Sequence, residues 1–196
     1  MKPKYALPIF LVTLILTSLA CTIFVGGPDT SDLAPIPVSV SEADGLREQI
    51  KKAFEDGVTT GIVTFTISEP QITSVLAQRL QSDPSLQQDE KKPLIFDPQV
   101  YLRDGQMKIY GKTQQGIFTA NIGILINVGV DENGKPKIEI ASADFGPFPV
   151  PEGIKEAITR MIEEAYTGSL GPVATGLRIE SIAIADGLMT ISGRVR

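Results

Sequence analysis

From Ile117 to Val130 the chain alternates without interruption. Phe118, Ala120, Ile122, Ile124, Ile126, Val128 and Val130 fall on one side, and Ile117, Thr119, Asn121, Gly123, Leu125, Asn127 and Gly129 on the other. A period of two is the mark of an extended strand, because successive side chains point to opposite faces. At roughly 3.3 Å per residue the run would reach about 45 Å, well beyond the usual strand. An unbroken apolar face of that length needs a partner long enough to cover it, and this requirement constrains the whole fold.

The flanking segments supply the rest of a sheet. Leu94 to Arg103 and Gln106 to Lys112 flank Asp104-Gly105, and Leu177 to Ala185 and Leu188 to Val195 flank Asp186-Gly187. Asp-Gly between alternating hydrophobics predicts a two-residue hairpin turn, since both positions need positive φ. Asp131 to Gly134 turns the long strand back into Pro136 to Phe145, and Ile62, Val63, Phe65 and Ile67 among threonines predict a further strand over 60–67.

Three segments show helical spacing. Leu46, Ile50, Ala53 and Phe54 predict a short amphipathic helix over 41–54. Ser68-Glu69-Pro70-Gln71 reads as a helix start, with Ser68 as cap, Gln71 completing a capping box and Pro70 where its missing N–H costs nothing; the helix buries Ile72, Val75, Leu76 and Leu80 and stops at Asp83-Pro84. The Pro-rich run 146–151 delivers the chain to a long helix over 152–168, whose stripe is Ile154, Ala157, Ile158, Met161, Ile162 and Ala165. The polar stretch Gln87 to Lys92 is expected to be a solvated loop. The expected class is α+β: an antiparallel sheet meander curled around one or two long helices.

The N-terminus assigns a compartment. Lys2 and Lys4 precede Tyr5 to Ala20, which holds no charge, as in an export signal. Thr17-Ser18-Leu19-Ala20-Cys21 resembles the lipobox at which bacterial lipoproteins are cleaved and diacylated, with Cys21 as the lipidation site and Ser18 where that motif usually has an aliphatic residue. A second reading continues the apolar run through Val25 as an uncleaved anchor of about 20 residues. Both place the remainder outside the membrane, since the lysines precede the run and Asp29 and Asp32 follow it. The expected organisation is a signal over 1–21, a Gly/Pro/Ser/Asp-rich flexible linker over 22–40 and one domain over 41–196.

Composition removes whole classes of function. The net charge is −5, with 18 basic and 23 acidic residues, and two of those basic residues belong to the signal. Nucleic acid binding, which needs basic surface, is not expected. With Cys21 the only cysteine, no disulfide can staple the domain. The chain has no histidine, so Ser-His-Asp and Cys-His catalysis are excluded together with the commonest metal ligand. Gly111-Lys112-Thr113 lacks the upstream glycine of a phosphate-binding loop, and Asp131-x-Asn133-Gly134 lacks the glutamate of a calcium loop. No enzyme activity, cofactor or metal is expected.

The two Asp-Gly hairpins also align with each other without a gap. Residues 100–112 and 182–194 share Asp, Gly, Met, Ile and Gly at matching positions, either by convergence on one hairpin signal or as a helix-plus-meander unit used twice.

Together these features resemble the LmeA-type phospholipid-binding proteins of the tubular lipid-binding (TULIP-like) superfamily. The features are the lipoprotein-like signal, a strand running into Ser68-Glu69-x-x-Ile72 and a helix, a meander, a Pro-marked second helix, and the hairpin Asp186-Gly187-x-Met189-x-Ile191-x-Gly193. The resemblance covers Gly61 to Arg196. It implies a sheet curled around a long helix to enclose an apolar groove, and non-enzymatic binding or transfer of a lipid or other apolar envelope molecule. The groove would be lined by Ile72, Leu76, Phe118, Ile122, Ile124, Ile126, Ile158, Met161 and Ile162. The competing expectation is that these residues pack on one another and leave no cavity. The chain would then be an envelope scaffold that meets a protein partner through residues 87–92 and 146–151.

Overall fold

The computed structural model describes residues 22–84, 87–88, 92–150 and 177–195. The expected helix over 152–168, and Cys21 with the rest of the N-terminal segment, lie outside the described residues.

The chain is α+β. Among the described residues two helices, α1 (Val40–Thr60) and α2 (Glu69–Ser82), accompany ten strands: β1 (Ile23–Phe24), β2 (Ile62–Ser68), β3 (Gln87–Gln88), β4 (Lys92–Pro93), β5 (Phe96–Arg103), β6 (Gln106–Gln115), β7 (Phe118–Val130), β8 (Pro136–Asp144), β9 (Leu177–Ala185) and β10 (Leu188–Val195). The Asp-Gly turns adopt the expected geometry, with φ of 57° and 73° at Asp104 and Gly105, and 50° and 81° at Asp186 and Gly187. The capping box at Ser68 is complete. Its hydroxyl accepts from the Gln71 amide, and the Gln71 side chain accepts from the Ser68 amide at 3.0 Å.

The sheet is mixed, where a purely antiparallel meander was expected. β5, β6, β7 and β8 are antiparallel neighbours in chain order, and β1 adds to β7 in parallel, pairing Ile23 with Phe118 and Phe24 with Thr119. The cause is visible in the register. β8 pairs with β7 only from Gly123 onward, so the first residues of β7 have an open edge. The backbone of 23–26 closes it: the Ile23 amide donates to the Ile117 carbonyl at 2.8 Å, Val25 to Thr119 at 2.9 Å, and the Asn121 amide to the Gly26 carbonyl at 2.9 Å.

β2, β10 and β9 form a separate three-stranded antiparallel sheet, so the two similar hairpins lie in different sheets. The sheets join where the Gly187 amide donates to the Leu102 carbonyl at 3.0 Å, and the Ile179 amide to the Gly134 carbonyl at 2.9 Å. The larger sheet curls into a half barrel. Between the layers lies one core, with Leu46 and Phe54 of α1, Leu76 and Leu80 of α2, Val63 and Phe65 of β2, and Val100, Leu102, Ile109, Ile122, Ile124, Ile126, Ile179 and Met189 of the other strands.

α1 is longer than its apolar spacing predicts, running to Thr60 before Gly61 ends it at φ 75°. The extra turn packs through Gly57, which is buried against β2; a Cβ there would overlap the Val63 side chain. Residues 22–39, expected to be a free linker, lie along the domain instead. Gln99 holds the Ile36 backbone from both sides, accepting from its amide at 2.5 Å and donating to its carbonyl at 3.3 Å. The Tyr101 hydroxyl donates to the Ala34 carbonyl at 2.9 Å, and the Ser39 amide donates to Ser74 Oγ at 3.0 Å. Burial, with the Glu69 carboxylate nearby, raises the Tyr101 pKa above its ordinary value. In the segment expected to be a solvated loop, Gln87–Gln88 pairs with Lys92–Pro93 as the short β3–β4 sheet.

α2 covers the outer edge of β5 with side chains spaced one turn apart. Glu69 Oε1 accepts from the Leu102 amide at 2.8 Å, and Thr73 Oγ1 accepts from the Val100 amide at 3.1 Å. The i, i+4 spacing on the helix meets the i, i+2 spacing of edge amides on the strand, so a helix does the work of a missing strand. Arg103 pairs with Glu69 and completes the contact.

Candidate ligand site

β7 carries the expected stripe, and its residues meet different fates along its length. Ala120, Ile122, Ile124 and Ile126 are fully buried, and Leu76 of α2 belongs to the same core cluster, with Ile72 half-buried against it. The structure thus brings five of the expected groove residues, Ile72, Leu76, Ile122, Ile124 and Ile126, into one packed cluster. Phe118 stands apart, 42% exposed at the opening end of the strand. Ile158, Met161, Ile162 and Cys21 lie outside the described residues.

Beyond Ile126 the stripe is less covered. Val128 and Val130 are half-buried, as are Ile138 and Ile140 on the neighbouring strand β8, where Ile126 pairs with Ile140 and Val128 with Ile138. This end of the stripe opens on a cleft of about 700 Å³, lined by Val130, Ile179 and Val195 together with Asp131, Glu132, Gly134, Arg178, Glu180 and Arg194. Ile179 is buried, Val130, Val195 and Asp131 are half-buried, and Glu132, Arg178, Glu180 and Arg194 are exposed. Apolar side chains at the base and charges of both signs around the rim make an open, amphipathic cleft.

The turn between β7 and β8 builds one wall. Asp131 Oδ1 accepts from the amides of Asn133 and Lys135, each at 2.8 Å, and the Asp131 amide donates to the Lys135 carbonyl at 2.8 Å. Donation from the Lys135 amide, partly opposed by desolvation and helped by Asn133, holds the Asp131 pKa below its ordinary value. Gly134 turns at φ 76°, and a Cβ there would overlap the Arg178 side chain, so β9 approaches the turn closely. The facing wall is the β9–β10 pair, fastened on its surface by Arg194 Nε to Glu180 Oε1 at 2.9 Å.

The sequence places Val130 on the apolar face of the long strand but marks neither it nor Arg178, Ile179, Glu180, Arg194 or Val195 as a site residue. Their strands were legible, yet the meeting of Gly134 with Ile179 is a contact between distant segments that no local pattern encodes. Among the described residues no group of three or more Asp, Glu or Cys side chains is arranged to hold a metal ion.

No family model and no curated protein matches the chain. Among solved structures, a lipopolysaccharide binding protein matches 69% of this chain at 11% identity and a TM-score of 0.30. The match covers 50% of that protein, so the chain spans about half its length.

Proposed function

We propose that this protein binds a lipid or other apolar envelope molecule without chemical turnover, as a membrane-tethered extracytoplasmic lipoprotein of TULIP-like design. The observation that carries this reading is the course of the β7 stripe, which leaves a closed core at Ile126 and continues half-covered to a cleft with a charged mouth. An acyl chain would lie against Val130, Ile179 and Val195. A small polar head would meet Arg178 on one side and Asp131 or Glu132 on the other, a pairing that suits a zwitterionic group. The signal-like N-terminus with Cys21 supports the location and the tether, and the absence of histidine supports binding over catalysis.

Titration of the protein with a fluorescent phospholipid tests the reading. Saturable binding near one lipid per chain, competed by unlabelled lipid, is expected; a response that never saturates would refute it. One observation favours the scaffold reading in its place: Ile122, Ile124 and Ile126 are buried with at most 1% exposure, so the middle of the stripe is filled by protein. The same titration separates the two, because a scaffold would give no saturable signal.

A further inference from the structure

We infer that the corner of the larger sheet formed by Ile23, Phe24, Ile117 and Phe118 inserts into the surface of the lipid bilayer and sets the orientation of the domain. These four side chains are among the large hydrophobic residues left exposed, at 48%, 60%, 52% and 42%. They form one patch because β1 pairs in register with the start of β7, placing Ile23 opposite Phe118 and the Ile23 amide on the Ile117 carbonyl.

The patch is apolar on both faces of the sheet. Ile23 and Phe118, as register partners, share one face; Phe24 and Ile117 fall on the other, because side chains alternate along each strand. A docking protein would cover one face of such a rim, whereas a surrounding hydrocarbon medium covers both. The rim can also be immersed without burying charge, since neither 22–28 nor 113–130 contains a charged residue.

What covers the rim follows from where the chain leads. Ile23 lies two residues after Cys21 and three after the uncharged run Tyr5 to Ala20, and two residues span at most about 7 Å. Because β1 is hydrogen-bonded to β7, the patch cannot move away from that attachment point. The inference rests on the reading of the N-terminus as a membrane anchor and goes beyond it: the anchor supplies attachment, and the rim supplies a defined pose. In that pose β7 runs outward from the bilayer, and the cleft at Val130 lies at the far end of a strand about 40 Å long.

The chain has no tryptophan, so Phe118→Trp and Phe24→Trp each introduce a single reporter at an exposed position. Val58→Trp serves as the distant control. Val58 is 74% exposed near the end of α1, four residues from Ile62, whose register partner Arg194 lines the cleft beside Val130. Each full-length variant is reconstituted into phosphatidylethanolamine and phosphatidylcholine vesicles, with or without lipids brominated at shallow acyl positions. With the rim roughly 5–10 Å into the interface, bromolipid should quench the indole of Phe118→Trp and of Phe24→Trp about twofold, and vesicles should blue-shift their emission, while Val58→Trp stays unchanged. If the rim variants float with the vesicles but quench no more than Val58→Trp, the rim does not insert while the anchor stands. If they do not float, the anchor reading fails and this inference fails with it.

Discussion

Replacing Thr73 with valine should expose how the β5 edge is closed. Thr73 is 0% exposed, and its hydroxyl accepts from the Val100 amide of an equally buried residue. Valine keeps the shape and removes the acceptor, leaving a buried N–H with no partner, which costs about 1–3 kcal/mol. With a urea slope of about 2 kcal/mol/M, a loss of about 2 kcal/mol moves the unfolding midpoint down by about 1 M. Thr73→Ser provides the contrast, since it keeps the hydroxyl and gives up only a methyl group. Amide hydrogen exchange followed residue by residue separates the causes: in Thr73→Val the Val100 amide should exchange faster, roughly tenfold for each 1.4 kcal/mol of local protection lost. In Thr73→Ser it should remain protected. If Thr73→Val unfolds at the wild-type midpoint with Val100 equally protected, then α2 does not close this edge through its polar side chains.

Gly187→Ala should lower stability by about 1–2 kcal/mol in denaturant titration, because Gly187 sits at φ 81° with Arg103 and Glu69 packed against the position of a Cβ. Thermal melts across the acid range should show Asp131 stabilising the β7–β8 turn. Its pKa is lowered in the folded state, so its contribution is present above the ordinary aspartate value and disappears as pH falls through the lowered one; Asp131→Asn should flatten that part of the profile. Cys21→Ser should abolish acylation and leave the N-terminal segment uncleaved, as intact-mass measurement of membrane-extracted protein would show. If the wild-type protein itself retains Met1 to Ala20 and carries no acyl group, it is held by an uncleaved anchor.

Local patterns carried most of the secondary structure. Alternation marked β7, β9 and β10 to within a residue, and the Asp-Gly pairs and the Ser68 box marked turns and a helix start, because each depends on contacts within a few residues. The last turn of α1 was hidden because the residue that packs it is Gly57, which contributes closeness and no hydrophobic signal. The split into two sheets was hidden because a period of two shows which face a residue takes, not which strand it pairs with. β1 was hidden for a related reason: two residues beside a Gly-Gly-Pro run look like linker, and only the open edge of β7 makes them a strand. The stripe on β7 was legible as apolar, yet only the three-dimensional arrangement shows that Ile122 to Ile126 are enclosed while Val130 meets a cleft.

Native mass spectrometry of the full-length protein, expressed in a bacterial host and purified in mild detergent, tests lipid binding most directly when paired with Val130→Glu. Val130 is half-buried at the cleft, so glutamate can turn its carboxylate toward water while placing charge beside the proposed acyl path. The expected result is a wild-type population carrying a non-covalent adduct of lipid mass, several-fold reduced in the variant at unchanged circular dichroism. A wild-type spectrum showing only the mass of the chain and its covalent modifications, or an adduct population equal in both proteins, would contradict lipid binding at this cleft.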